Sequence, residues 1–127
     1  ITVQKWLFRG RESLYSINPN LEEIQKMKIN EMQKEIYQNK LNKGFNVTDV
    51  HEEFCLLYGE VAEAYDAWRK NKTTVGEELA DIAIYLMGLS EILDIDLETE
   101  IEKKMAINKD RVYQLVDGVL TKTSSDN

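Results

Sequence analysis

The segment from Val75 to Leu93 constrains the fold of this chain more than any other. At about 100° per residue, Leu79, Ile82, Leu86, Leu89 and Leu93 line one side of a helix, and the other sectors are apolar almost all round. Such a helix is expected to be buried on most sides, so the fold has to wrap further helices around it. Two carboxylates interrupt the pattern. Asp81 projects between Gly88 and Ile92, and Glu78 between Tyr85 and Leu89. An ionised carboxylate in such a place costs several kcal/mol unless a cation or hydrogen-bond donors meet it.

Helix-start signals recur through the chain. Asn20, Asp49 and Thr74 each stand three residues before a glutamate, the spacing of a capping side chain and its reciprocal partner, and Asp96 caps a fourth segment with Glu98 and Glu100 in its first turn. Four helices are predicted, over 20–42, 50–71, 75–93 and 97–117, with Gly44 ending the first and Gly118 the last. No stretch alternates as a strand does. The expectation is an all-α, four-helix bundle-type domain spanning the 127 residues, with residues 1–18 as an N-terminal arm and 121–127 as a flexible tail.

In the second segment Phe54, Leu57, Val61, Tyr65 and Trp68 form the predicted core stripe. Glu60 and Glu63 sit opposite, among Leu56, Gly59, Ala62 and Ala67. Glu60 and Glu63 are neighbours at i and i+3, as are Glu78 and Asp81. A loop as short as Lys70 to Thr73 makes the two helices adjacent and antiparallel, so the four carboxylates are expected to converge. Converging like charges raise one another's pKa or take up a cation. An all-oxygen set suits Mg²⁺, with Mn²⁺ as a substitute, better than zinc. Two other readings remain open: solvated helix faces near Arg69, Lys70 and Lys72, or a metal-free network neutralised by Lys104 and Arg111.

The fourth segment adds the complement. Ile101, Met105, Val112 and Leu115 recur at core spacing, and Lys104, Asn108 and Arg111 fall on the same stripe. Such a line of donors suits successive phosphoryl oxygens, although long basic side chains also snorkel out from buried faces. Phosphate is what joins a metal to a cation. The overall balance of 16 basic and 23 acidic side chains, a net charge of −7, argues against polymeric nucleic acid or an anionic membrane as partner. The longest apolar run, Ile82 to Leu89, is far short of the roughly 20 residues of a membrane span. Residues 1–10 have too few apolar positions for a signal-peptide core. With Cys55 as the single cysteine, a reducing cytoplasm is the expected location; Cys55 itself reads as a small packed residue and His51 as a surface one.

The pair Glu60-x-x-Glu63, fourteen residues, then Glu78-x-x-Asp81 resembles the E-x-x-E…E-x-x-D signature of MazG-like nucleoside triphosphate pyrophosphohydrolases, the all-α NTP pyrophosphatase superfamily. Lys104, Asn108, Arg111 and Tyr113 resemble the family's K-x-x-x-N-x-x-R-x-Y ending. The resemblance runs from about Leu21 to Tyr113. It implies hydrolysis of a nucleoside triphosphate to monophosphate and pyrophosphate, serving nucleotide-pool house-cleaning. Glu60, Glu63, Glu78 and Asp81 would then hold Mg²⁺ as the catalytic set, with Glu60 chosen as general base. Lys104, Asn108 and Arg111 would hold the phosphates. The alternative is a non-catalytic helical binding or regulatory module built on a buried polar network. A ferritin-like di-iron site needs two Glu-x-x-His pairs, and His51 is the single histidine.

Three aromatics are candidates for the base. Tyr85, one turn beyond Asp81, reads as a stacking residue or as core. Trp68 reads as core or subunit interface, or as a base contact. Phe45 either closes over a base or staples the second helix. Trp68, Ile84 and Met87 exceed what a four-helix monomer easily covers, so a C₂ homodimer is expected, and the family resemblance implies a homo-oligomer that is a dimer or a dimer of dimers.

Overall fold

The computed structural model of the chain describes residues 27–124. Four helices, α1 (Ile29–Lys43), α2 (Val50–Arg69), α3 (Val75–Ile92) and α4 (Leu97–Asp110), precede an antiparallel hairpin of β1 (Tyr113–Val116) and β2 (Val119–Lys122). The chain is therefore mostly helical, with a small two-stranded sheet that the expected all-α class lacked. The predicted arm over 1–18, the Asn20 cap and residues 125–127 lie outside the described residues. Contacts divide the chain into two compact units, one ending at Ile95 and the other starting at Asp96.

In the first unit α3 packs against both α2 and α1, as a helix apolar on nearly every side requires. Gly88 makes the α1 contact possible. A Cβ there would stand 3.3 Å from Ile36 Cγ2 and 3.4 Å from Lys40 Cδ, tighter than ordinary packing. The buried Gln33 side chain donates to Glu91 Oε2 at 2.8 Å and to the Ile95 carbonyl at 2.6 Å, tying α1 to the end of α3.

The termini follow local chemistry. Glu52 N–H donates to Asp49 Oδ1 at 3.1 Å, the predicted cap of α2. Thr74 stands at the N-cap of α3 but its side chain makes no capping bond. The first helix starts at Ile29, with the Lys28 N–H donating to Glu31 at 3.4 Å, so it does not run unbroken from residue 20. Gly44, Asn71 and Asp94 all take left-handed backbone angles just past α1, α2 and α3. In each case the next residue's N–H returns to a carbonyl inside the helix: Phe45 to Lys40, Lys72 to Ala67, Ile95 to Ser90. This closure satisfies carbonyls that a helix end leaves unpaired.

The predicted core stripes need correction. The buried face of α2 is Glu53, Ala64 and Ala67, while Phe54, Val61, Tyr65 and Trp68 are exposed, Trp68 by 64%. Small residues let α3 come close; the bulky stripe faces away. On α3, Leu89 is buried and Ile82 half-buried, but Leu79, Leu86 and Leu93 are exposed. Cys55, expected to pack, is exposed, and His51 is exposed as expected.

In the second unit Thr99 N–H donates to Asp96 Oδ1 at 3.2 Å, the expected cap of α4. The helix stops at Asp110, because Arg111 is already extended at φ −67° and ψ 133°. Val112 and Leu115 therefore do not extend a helical stripe, and α4 has no buried residue. Gly118 does not end a helix either. With Asp117 at φ 51° and Gly118 at φ 78°, it forms the two-residue turn of a hairpin, whose twist demands positive φ at both positions. Thr121 and Lys122, assigned in advance to a flexible tail, pair with Gln114 and Tyr113. Among the described residues no helix is long and apolar enough to cross a membrane.

Candidate functional site

Glu60 and Glu63 project from α2, and Glu78 from the first turn of α3. One carboxylate oxygen of each lies within 4.8 Å of the others. Asp81, one turn further along α3, lies outside that group but adds its charge to both Glu60 and Glu78. Within the described residues of the first unit no ion pair reaches Glu60, Glu63 or Glu78. Glu60 Oε2 is buried with no hydrogen-bond partner.

The electrostatics express this crowding. Burial is the main cause holding the Glu60 carboxyl above its ordinary range, followed by repulsion from Glu63, Asp81 and Glu78. Glu78 is raised in the same way, by burial first and then by Glu63, Asp81 and Glu77, with Lys72 opposing. Donors that are all hard oxygen, with one oxygen buried and unsatisfied, fit a hard divalent cation such as Mg²⁺. The same residues without a bound cation repel one another, a repulsion that Lys72 opposes at Glu78.

Two turns before Glu60 on the same face of α2, sequence reasoning overlooked Glu53. It is 1% exposed, the most deeply buried carboxylate described. Lys40 Nζ of α1 meets its Oε1 at 2.6 Å, and Asn46 Nδ2 donates to the same oxygen at 3.2 Å. Asn46 also accepts from the Asp49 N–H at 3.0 Å, joining this pair to the start of α2. The i, i+7 spacing of Glu53 and Glu60 was a readable signal. The lysine partner was not, since Lys40 lies on another helix.

Lys40 also stands over the Tyr85 ring, 5.5 Å from its centroid. Tyr85 is thus shared between two places. Its hydroxyl is pushed up by burial and then by Glu60, Glu53, Asp81 and Glu63, which puts it beside the acidic group. It also lines a cavity of about 550 Å³ together with Phe45, Met32, Met87, Asn39 and Glu35. That volume lies within the range of small-molecule sites. Phe45 reaches the wall because its N–H closes α1 onto the Lys40 carbonyl at 2.9 Å.

The structure therefore brings Phe45 and Tyr85 to one cavity and three of the four predicted carboxylates to one point. Trp68 is not among the cavity's lining residues. It pairs instead with Tyr65 on the exposed stripe, at a ring separation of 6.1 Å. Lys104 and Asn108 are exposed on α4, and Arg111 follows its last turn; all three belong to the second unit. Models of known protein families, curated proteins and solved structures were each compared with the chain, and none matches it.

Proposed function

We propose that this protein is a Mg²⁺-dependent nucleoside triphosphate pyrophosphohydrolase. The observation that carries the reading is the meeting of Glu60, Glu63 and Glu78, with no ion pair to any of them among the described residues of the first unit, next to a cavity of about 550 Å³ that Tyr85 lines. Glu60, Glu63, Glu78 and Asp81 supply the ligand oxygens. These residues would hold Mg²⁺, which would supply the positive charge that neutralises phosphoryl oxygens and makes a water more acidic. Water adds to the α-phosphorus, the bond from that phosphorus to the bridging oxygen breaks, and pyrophosphate leaves with the bridging oxygen. Of the four carboxylates, Glu60 is the one that instead takes the proton of the water. Phe45 and Tyr85, which line the same cavity, contact the base.

The exposed stripe of Phe54, Val61, Tyr65 and Trp68 supports a homo-oligomer, a dimer or dimer of dimers, in which a second copy covers the same face. Dilution should then lower the melting temperature. A panel of nucleoside triphosphates, with and without Mg²⁺, tests the activity through pyrophosphate release. The buried Lys40–Glu53 pair favours one other reading, a non-catalytic helical module with a polar network that sets its register. No release from any nucleotide would leave that reading in place.

A further inference from the structure

The cavity between α1 and α3 has a polar side that the base-stacking aromatics do not explain. Its walls are soft and aromatic: Phe45, Tyr85, Met32 and Met87. Three polar side chains also line it, Glu35, Asn39 and Lys40, all from α1. Lys40 has its charge matched by the buried Glu53 at 2.6 Å. Glu35 and Asn39 are different. They stand at i and i+4, hence on one face of the helix, and among the described residues neither makes a side-chain hydrogen bond or ion pair.

We infer that Glu35 and Asn39 form the base-reading edge of this cavity and select a nucleobase carrying an exocyclic amine, such as cytosine or adenine. The inference rests on the nucleotide reading above and extends it to the base. An ionised carboxylate can only accept hydrogen bonds, whereas an amide side chain offers one acceptor and two donors. In cytosine and in adenine an amine donor adjoins a bare ring nitrogen. The amine suits Glu35, and the ring nitrogen takes an N–H from Asn39. In uracil and hypoxanthine a carbonyl oxygen replaces the amine and the neighbouring ring nitrogen carries a hydrogen. Two acceptors then face each other at Glu35. A site built around a polar contact rejects the analogue that lacks it far more strongly than an apolar pocket does. The charge balance agrees: with Lys40 and Glu53 matched, Glu35 leaves the cavity negative, which suits the neutral base and not the phosphates.

The test separates the base from the chemistry. Binding of cytidine, uridine, adenosine and inosine is measured by calorimetry in metal-free buffer, on the wild-type protein and on Glu35→Gln. The expected result is about tenfold tighter binding of cytidine over uridine and of adenosine over inosine, the size of one good base contact. Glu35→Gln should erase most of that difference at an unchanged melting temperature, because its amide can donate to a carbonyl oxygen. No binding at millimolar concentration, equal affinities, or a preference that survives in Glu35→Gln overturns the inference. The same four bases are then assayed as triphosphates with Mg²⁺. Amine preference in binding without any hydrolysis leaves the base edge standing and removes the hydrolase; hydrolysis of all four with no preference in binding does the reverse.

Discussion

Glu53 and Glu60 occupy the same face of α2, two turns apart, and they differ in the charges beside them. Glu53 is the more deeply buried, and Lys40 at 2.6 Å and Asn46 at 3.2 Å both meet its Oε1, while its Oε2 is buried without a hydrogen-bond partner. The charges that raise Glu60 are the carboxylates Glu63, Asp81 and Glu78, and its Oε2, like that of Glu53, is buried without a partner. A carboxylate that serves the fold brings its cation from within the chain, because an unmatched buried charge costs several kcal/mol. In the function proposed above, Glu60 and its neighbours take their positive charge from a ligand instead. Local sequence does not distinguish the two, since each is a glutamate among apolar neighbours.

The comparison can be broken most sharply at the open site. Asp81→Asn keeps the shape of the side chain and removes its charge. It should cut turnover by more than about a hundredfold, since even partners one shell outside a metal's ligands are worth roughly 10–100-fold. The melting temperature should hold, and excess chelator should abolish activity in the wild type. Turnover that persists in chelator places the chemistry elsewhere.

The closed site should respond in stability. Lys40→Met leaves Glu53 buried without its cation and should lower the unfolding free energy by about 3–5 kcal/mol, read by urea denaturation. Adding Glu53→Leu should recover much of that loss. A neutral Lys40→Met would show that the pair does not support the fold, and the contrast with Glu60 would collapse.

A smaller effect separates phosphate from base. Lys104→Ala and Arg111→Ala should weaken all triphosphates alike, by about tenfold, as loss of a charge-assisted hydrogen bond does. Tyr85→Ala should instead reorder the bases, and steady-state kinetics on a nucleotide panel distinguishes the outcomes.

The smallest expected effect is in the pH dependence of stability. Glu60 and Glu78 are raised above their ordinary value of 4.5 in the folded state, so the folded protein binds more protons than the unfolded one between 4.5 and the raised values. Their contribution to stability is therefore lost as pH rises through that window and regained as pH falls. Asp66 and Asp96 are lowered from 3.8, Asp66 chiefly by its bond to Lys70 and Asp96 by its bonds to Thr99. They act in the opposite sense and only in more acidic solution. Melting temperatures across this range should show the rise toward acid without metal, and Mg²⁺ should flatten it by matching the same charges.

Much of the local structure was legible in advance. Asp49 and Asp96 cap their helices because a short acidic side chain reaches the third N–H beyond it, and Gly44 ends α1 because it takes left-handed angles without strain. The Glu60/Glu63 and Glu78 meeting followed from helical spacing and a short loop. The hairpin was misread although its signal was present. Asp117 and Gly118 between apolar residues ask for positive φ twice, but a glycine after a helical pattern asks for positive φ as well, and the apparent stripe of Ile101, Met105 and Val112 favoured the helix.

By itself the sequence determined where helices start and stop and which side chains share a face, because those depend on spacing and on bonds spanning three or four residues. Only the tertiary structure decided which face is covered. Periodicity divides α2 into a bulky side and a small, acidic side, and hydrophobicity alone points the bulky side inward. Close packing with α3 selected Ala64 and Ala67 instead, leaving Tyr65 and Trp68 exposed. The partnership of Lys40 with Glu53 was equally out of reach, since it joins two helices across 13 positions of sequence. Whether a buried carboxylate meets a cation of its own chain depends on which atoms the fold brings within about 3 Å of it, and that distance exists only once the helices have packed.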